Sequence, residues 1–357
     1  MTTHQVHISA AARLHFGLLR FEQTEGRSFG GLGVMVDTPR TVLQLAPAAS
    51  WPTVSGESLR VQQAARRALE AWGQASGLAA LQVEVVASLP AHRGLGSGTQ
   101  LALAAAAGVR ALVGLPPASA AELARVAGRG RRSGVGAHGF HGGGLVWEVG
   151  RLPGESTGRL AERVALPSAW RVVMAIPAQE TGLSGVAERD AFAQLPAPPT
   201  ELTDRLIQLA ERTIVPAARA GDFATFSAGV SEYGREAGSM FAPVQGGSYA
   251  SPEIARRVAA LREAGCCGVG QSSWGALLGR IHAPPLVREC RRCDISPNQN
   301  GRRTGVRGVR TDDRGDRQSG RRRHEGVNRW CCLKLTSTAR RARRRSKSAA
   351  LVSANTA

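Results

Sequence analysis

The chain has 357 residues, 43% of them hydrophobic and 20% charged, with a formal net charge of +19. That length suits two domains with a sizeable core, and the apolar fraction excludes a wholly disordered chain. The basicity is uneven: residues 281–357 hold 20 Lys+Arg against 6 Asp+Glu, a net of +14, which leaves residues 1–280 at only +5.

The body therefore lacks the charge excess that marks a nucleic-acid or anionic-membrane partner. Both lysines, Lys334 and Lys347, lie in the last 77 residues. Cationic contacts to phosphate in the body must come from arginine, and a Walker-type lysine is excluded. The start, MTTHQVHISAAARLHFG, lacks the charged-then-apolar pattern of a signal peptide. The longest apolar stretch, Leu101 to Val109, is far short of the roughly 18 residues of a membrane helix. A soluble, cytoplasmic protein is expected. Four of the six cysteines (Cys290, Cys293, Cys331, Cys332) are in the tail, with Cys266 and Cys267 in the body, which makes no disulfide framework.

Residues 6–48 alternate loosely between apolar and polar, and Gly30, Gly31 and Gly33 read as tight turns between strands. Leu59, Ala65, Leu69 and Trp72 fall near helical spacing, so 57–74 reads as a helix, and LQVEVVAS (81–88) alternates as a strand. An alanine-rich helix is expected from about Ser97 to Val113, and another from Ser119, with Glu122 completing a capping box. GRGRRSGVGAHGFHGGG (128–144) reads as too glycine-rich for a regular element, and GLVWEV as a strand. Proline and small residues around 152–168 mark a boundary. Beyond it come an apolar strand at 170–176 and helices near 185–194, 200–218 and 222–238. A further helix opens at Ser251-Pro252-Glu253 and ends at Gly265. CCGVGQSSWG reads as a strand or tight loop.

The segment with the strongest chemistry is Pro90-Ala91-His92-Arg93-Gly94-Leu95-Gly96-Ser97-Gly98-Thr99-Gln100. Glycines let backbone amides approach an anion, the helix start adds partial positive charge, and Ser97 and Thr99 add hydroxyl donors. Arg93 is its one side-chain cation of fixed charge. This segment resembles the phosphate-binding motif of the GHMP kinase superfamily. With Arg13-Leu14-His15-Phe16-Gly17-Leu18, GSGTQLALA, GRGRRSGVGAHGFHGGG, FAPVQGG (241–247) and GVGQSSWG (268–275), it is similar to the β-ribofuranosylaminobenzene 5′-phosphate synthase branch. The resemblance covers about residues 6–275.

It implies an α+β, two-domain GHMP kinase-like fold. Residues 1–160 would form the domain with the phosphate loop, residues 161–280 an incomplete ferredoxin-like α/β sandwich, and residues 281–357 a disordered basic tail. The implied reaction moves a phosphoribosyl group from phosphoribosyl pyrophosphate to 4-aminobenzoate or 4-hydroxybenzoate, with loss of pyrophosphate and carbon dioxide. Mg²⁺ is the implied cofactor, no redox cofactor is expected, and a homodimer is allowed. The alternative is an ATP-dependent small-molecule kinase. Many of those kinases carry an aspartate where Ser133-Gly134-Val135-Gly136 ends in glycine.

Under this resemblance Arg93, Gly94, Gly96, Ser97, Gly98 and Thr99 bind phosphate, with Ser97 the candidate magnesium ligand. Arg131, Arg132 and Ser133 are candidates for the 5′-phosphate, with solvated surface charge as the competing reading. Arg13 and His15 anchor the aromatic carboxylate; from the residues alone, a surface ion pair and a core histidine serve as well. Of Glu180, Glu188 and Asp190, Glu188 is assigned to steady oxocarbenium charge or hold Mg²⁺, against a solvated helix face. Trp274 either lines the aromatic pocket or packs in the core. His138-x-x-His141 has no third metal ligand in view, and the tail cysteines lack zinc spacing. The tail composition suits an Arg-rich nucleic-acid arm or out-of-frame translation, which sequencing the DNA around codons 270–290 separates.

Overall fold

The computed structural model describes residues 5–21, 25–177, 185–273, 278–282, 327–334 and 351–355, with side chains omitted at 177–189 and beyond 273. The first half is built on two long strands, β1 (Gln5–Leu18) and β2 (Gly31–Ala48), which pair antiparallel. After β2 come α1 (Gly56–Trp72), β3 (Ala80–Ala87), α2 (Ser97–Leu112), α3 (Ala120–Ala127), α4 (Val135–Gly142), β4 (Leu145–Glu148) and β5 (Leu160–Val164). β4 pairs with β2, β5 with β4, and β3 with the far end of β2.

The sequence of β1 explains its two roles. Val6, Ile8 and Ala10 alternate with less buried residues and join Leu43 and Leu45 against α1 and α2. Further along, Ala12, Leu14 and Leu18 belong to a second core shared with the C-terminal half. One strand thus serves two cores. α2 is buried at Gln100–Ala106 and again at Gly108 and Val109, nearly all round, which its run of alanines allows.

The second half holds β6 (Arg171–Pro177), α5 (Gly185–Gln194) and α6 (Thr200–Gln208), which continues through a π-helical turn (Leu209–Ile214) into α7 (Val215–Ala220). Then follow α8 (Phe223–Ser239), α9 (Ala242–Gln245), α10 (Pro252–Glu263), β7 (Gly270–Gln271) and β8 (Leu278–His282). Its antiparallel sheet has the order β7-β8-β6-β9, with β9 spanning Val327–Lys334. Phe226, Val230, Tyr233 and Ala237 form the buried stripe of α8, spaced as helix periodicity requires. Trp170 packs on Phe223 and Phe226 with ring centroids 5.4 and 4.8 Å apart. Both halves are α+β, as expected.

Both serine caps form, but the expected capping box does not close, because the Glu122 carboxylate accepts instead from Arg110 at 2.7 Å and Trp72 at 3.1 Å. Ser119 accepts from the Glu122 N–H at 3.1 Å and Ser251 from the Ile254 N–H at 3.2 Å. Three further readings need correction or extension. The stretch 128–144 does contain a regular element, α4. Its glycines fit there because Gly136 and Gly139 face Thr99, Gln100 and Met35 closely, so packing overrides helix propensity. Gly31 and Gly33 are strand residues of β2, paired with Leu18 and His15. The first sheet also extends to Val164, past the expected boundary at 160.

Of the tail, two segments are described and both are strands. β9 pairs with β6, and β10 (Leu351–Asn355) pairs with β1. No hydrophobic alternation announces either, but open strand edges offer unpaired N–H and C=O groups to any extended chain. No helix among the described residues is long and apolar enough to cross a membrane.

The two halves meet where β1 crosses α8. A Cβ on Gly17 would lie 2.3 Å from the Ala237 Cβ. Gly17→Ala is expected to lower stability by about 1–3 kcal/mol through overpacking, read as a lower urea midpoint. Gly247→Ala, where a Cβ meets nothing within 4 Å, should stay within about 0.5 kcal/mol of the parent.

Candidate active site

The glycine loop leaves β3, buries Leu89 and Leu95, and enters α2 at Ser97. Gly94 and Gly96 both take left-handed backbone, with φ of +77° and +71°. At Gly94 a Cβ would sit 2.3 Å from the Ser272 carbonyl oxygen, so only glycine fits that approach. Gly96 caps α2 without a side chain, and its carbonyl accepts from the Thr99 and Gln100 N–H groups at 3.0 and 2.9 Å, so the amides the helix start offers are those of Ser97 and Gly98.

Two hydrogen bonds hold this loop from two distant parts of the chain, and two more tie those parts to each other. The Arg13 N–H donates to the Leu95 carbonyl at 3.0 Å. The His15 N–H donates to Ser272 Oγ at 2.9 Å, and that hydroxyl donates to the Gly94 carbonyl at 2.7 Å. The Ser273 N–H closes the set on the His15 carbonyl at 3.0 Å. Ser272 is buried, with its hydroxyl acting once as acceptor and once as donor.

The loop floors a cleft of about 860 Å³ lined from both halves of the molecule. Arg13, His15, Arg93, Gly94, Gly96, Ser97, Gly98, Thr99, Arg131, Arg132 and Ser133 all line it. The residues picked out separately along the sequence are therefore neighbours. Glu188 is in α5, but its side chain is outside the described residues, as are Glu180 and Trp274. Asp190 is exposed and away from the cleft. His138 Nε2 meets the Gly158 carbonyl at 2.8 Å; neither it nor His141 lines the cleft, and burial lowers the pKa of both. Among the described residues no cluster of three or more His, Cys, Asp or Glu could hold a metal ion.

Several lining residues were not singled out in the sequence. Arg60 from α1 and Arg129 after α3 join the cationic wall, which among the described residues holds six arginines, Glu57 as its one carboxylate, and no lysine. Phe16, Phe192 and Phe241 supply an aromatic wall. Phe192 and Phe241 meet edge-on at 5.7 Å, and each also touches Phe21. The Arg132 guanidinium carbon stands 5.2 Å from the Phe192 ring centroid. The stretches FAPVQGG and GVGQSSWG contained part of this signal, in Phe241 and Ser272.

Two buried titratable groups underlie the site. His15 is 4% exposed; burial and then the charge of Arg13 push its pKa well below the ordinary value, so it is neutral. Glu148, at the end of β4, is fully buried and accepts from the Gly134 N–H at 2.6 Å. Burial raises its pKa to about 7, against the opposing pull of hydrogen bonds from Gly134, Ser133 and Val135 and of Arg13. It fastens the turn that presents Arg131, Arg132 and Ser133. Gly136, one turn on, would put a Cβ 3.2 Å from both Thr99 Cγ2 and Gln100 Nε2. A longer acidic side chain would have to displace the start of α2.

A glycine loop opening a helix, on the floor of a cleft between two α+β halves, defines a protein of the GHMP kinase type. Residues 60–143 match the GHMP kinases N-terminal domain. Solved structures of the same fold include a mevalonate 5-diphosphate decarboxylase, with TM-score 0.60, 14% identity, and coverage of 94% of this chain and 96% of that one. The homoserine kinase from Cytophaga hutchinsonii gives TM-score 0.53, 16% identity, and coverage of 78% and 85%. At these identities the likeness shows the fold alone.

The β-ribofuranosylphenol 5′-phosphate synthase of Methanothermobacter thermautotrophicus is 30% identical over 290 residues, covering 75% of this chain and 86% of the relative. The synthase of the same name from Archaeoglobus fulgidus is 28% identical over 236 residues, covering 62% and 72%. This chain belongs to the β-ribofuranosylphenol 5′-phosphate synthase family.

The clamp and the buried carboxyl each make a prediction. Gly94→Ala should cost about 1–3 kcal/mol of stability, measured by denaturation. Folding holds the Glu148 proton to about pH 7, against 4.5 for the free side chain. The folded state therefore binds more protons in that window, and stability falls by about 3 kcal/mol as pH rises through it. Glu148→Gln removes this term, so thermal melts of the variant between pH 4.5 and 7.5 should show a correspondingly weaker decline. An unchanged slope would contradict the assignment.

Proposed function

We propose that the cleft transfers the phosphoribosyl group of phosphoribosyl pyrophosphate to an aromatic acid, with loss of pyrophosphate and carbon dioxide. The observation that carries this is the pairing of an arginine-only anion cradle with an aromatic wall in one cavity. The relatives' product name, a ribofuranosylphenol, favours 4-hydroxybenzoate over 4-aminobenzoate as acceptor.

The chemistry asks little of a general base. The bond from the anomeric carbon to the pyrophosphate oxygen breaks, and a bond forms to the ring carbon bearing the carboxylate. Carbon dioxide then leaves and returns its electron pair to the ring, so no ring proton needs to be removed. A glycine at 136, where many kinases place a carboxylate, is compatible with that economy. The amides at Gly94–Gly98 and the neighbouring arginines take the diphosphate through charge-assisted hydrogen bonds. Arg131, Arg132 and Ser133 take the 5′-phosphate. Arg13, beside the neutral His15, holds the acceptor carboxylate, and the phenylalanines bind its ring.

The hydroxyls of Ser97 and Thr99 are the side-chain oxygens the loop offers to Mg²⁺, whose remaining ligands would come from phosphate and water. Ser97, at the first turn of α2, is the residue proposed to hold it, and the ion would neutralise charge on the departing pyrophosphate. A cytoplasmic setting is proposed on the same footing.

The test is release of labelled carbon dioxide from carboxyl-labelled 4-hydroxybenzoate by the purified chain. Release that requires phosphoribosyl pyrophosphate and yields one pyrophosphate per carbon dioxide is expected. Phosphate transfer from ATP to a small alcohol, with no such release, would instead establish the kinase reading.

A further inference from the structure

Arg60 lies in no motif, and Arg129 sits in the glycine-rich stretch 128–144 beside Arg131 and Arg132. Arg129 follows Gly128, whose φ of +67° ends α3, and its backbone N–H donates to the Ala124 carbonyl at 2.8 Å. The turn is therefore fixed, and it directs the side chain across the cleft. Its Nη2 comes within 3.9 Å of the position a Cβ on Gly98 would occupy, so the guanidinium faces the first turn of α2.

Among the described residues, the charged groups that act on this guanidinium are arginines. Burial first, and then the charges of Arg67 and Arg60 on α1 and of Arg132 on the following turn, lower its pKa. Arg67 donates to the Ala127 carbonyl at 3.3 Å, which keeps it beside the end of α3. Among the described lining residues the one carboxylate is Glu57, one turn before Arg60 on α1. Among the described residues no ion pair is formed by Arg129. Like charges held together this way destabilise the empty site and are relieved by an anion of more than one charge.

We infer that Arg129, supported by Arg60, receives the outer phosphate of the diphosphate whose inner phosphate lies on the Gly94–Gly98 amides. The inference rests on the phosphoribosyl-transfer reading and adds to it a diphosphate-specific cation pair. With no lysine in the first 280 residues, a guanidinium is the side chain available for this contact. Its planar fork suits two oxygens of a terminal phosphate at once.

The experiment titrates the full chain, wild type and Arg129→Gln, with magnesium pyrophosphate and separately with ribose 5-phosphate by calorimetry. Pyrophosphate affinity should fall about tenfold or more in the variant, and ribose 5-phosphate affinity should change less than about threefold. Arg129→Lys should recover part of the loss. Melting curves provide a second readout. Without ligand the variant should melt at or above the wild-type temperature, because a repelling charge is gone, while the stabilisation by pyrophosphate should shrink. Unchanged pyrophosphate affinity, or a loss confined to ribose 5-phosphate, would overturn the assignment. Turnover of phosphoribosyl pyrophosphate by the wild type reports on the functional reading alone. Absence of turnover with pyrophosphate binding still dependent on Arg129 would reject that reading and leave the diphosphate contact standing.

Discussion

The site depends on one hydroxyl. Ser272 Oγ accepts from the His15 backbone and donates to the Gly94 carbonyl, joining β1, the phosphate loop and the segment before β8. The Ser272 carbonyl in turn presses on Gly94 closely enough to exclude any side chain there. The loop glycines alone would give a conformationally free turn. Fixed from both sides, they become a set of oriented amides whose geometry is prepaid by folding, as an anion site requires. The same contact makes the cleft a property of both halves, since one partner lies 178 residues from the other.

Around that clamp the charges are arranged by burial. The cations face the cavity, while burial keeps His15, on the cleft wall, neutral and raises the pKa of Glu148, behind it, to about 7. A fully charged carboxylate beneath Ser133 would compete for the amides and arginines that a phosphate needs. A protonated or weakly ionised one holds the turn without that competition. The aromatic residues Phe192 and Phe241 close the other side, with Arg132 against one of the rings. Apolar and cationic walls thus meet in one cavity, an arrangement suited to a substrate pair of which one is an aromatic acid and the other a polyphosphate.

Much of this was legible in the chain because its chemistry is local. The phosphate loop, the helix after it, the Ser119 and Ser251 caps and the strand at 170–176 each carry their signal within about ten residues of sequence. Arg13, His15 and Arg132 could be nominated by motif and were brought together by the fold. What escaped was set by contacts between remote segments. α4 is helical because its glycines fit against Met35 and the start of α2, although glycine disfavours helix. Ser272 and Phe192 act on residues far away in sequence, and Arg129 differs from other surface arginines only in facing Gly98. The strand pairing of Val327–Lys334 and Leu351–Asn355 has no periodic signal at all, and is visible only through their partners β6 and β1.

The central claim is that this anion cradle serves attack at carbon, although the fold is shared with enzymes named as kinases. Phosphoribosyl pyrophosphate labelled with ¹⁸O in the oxygen between the anomeric carbon and the inner phosphorus tests it directly. Cleavage of the carbon–oxygen bond sends all of the label into released pyrophosphate, and that is the result the account predicts. Label retained on the ribose would mean attack at phosphorus and would contradict it.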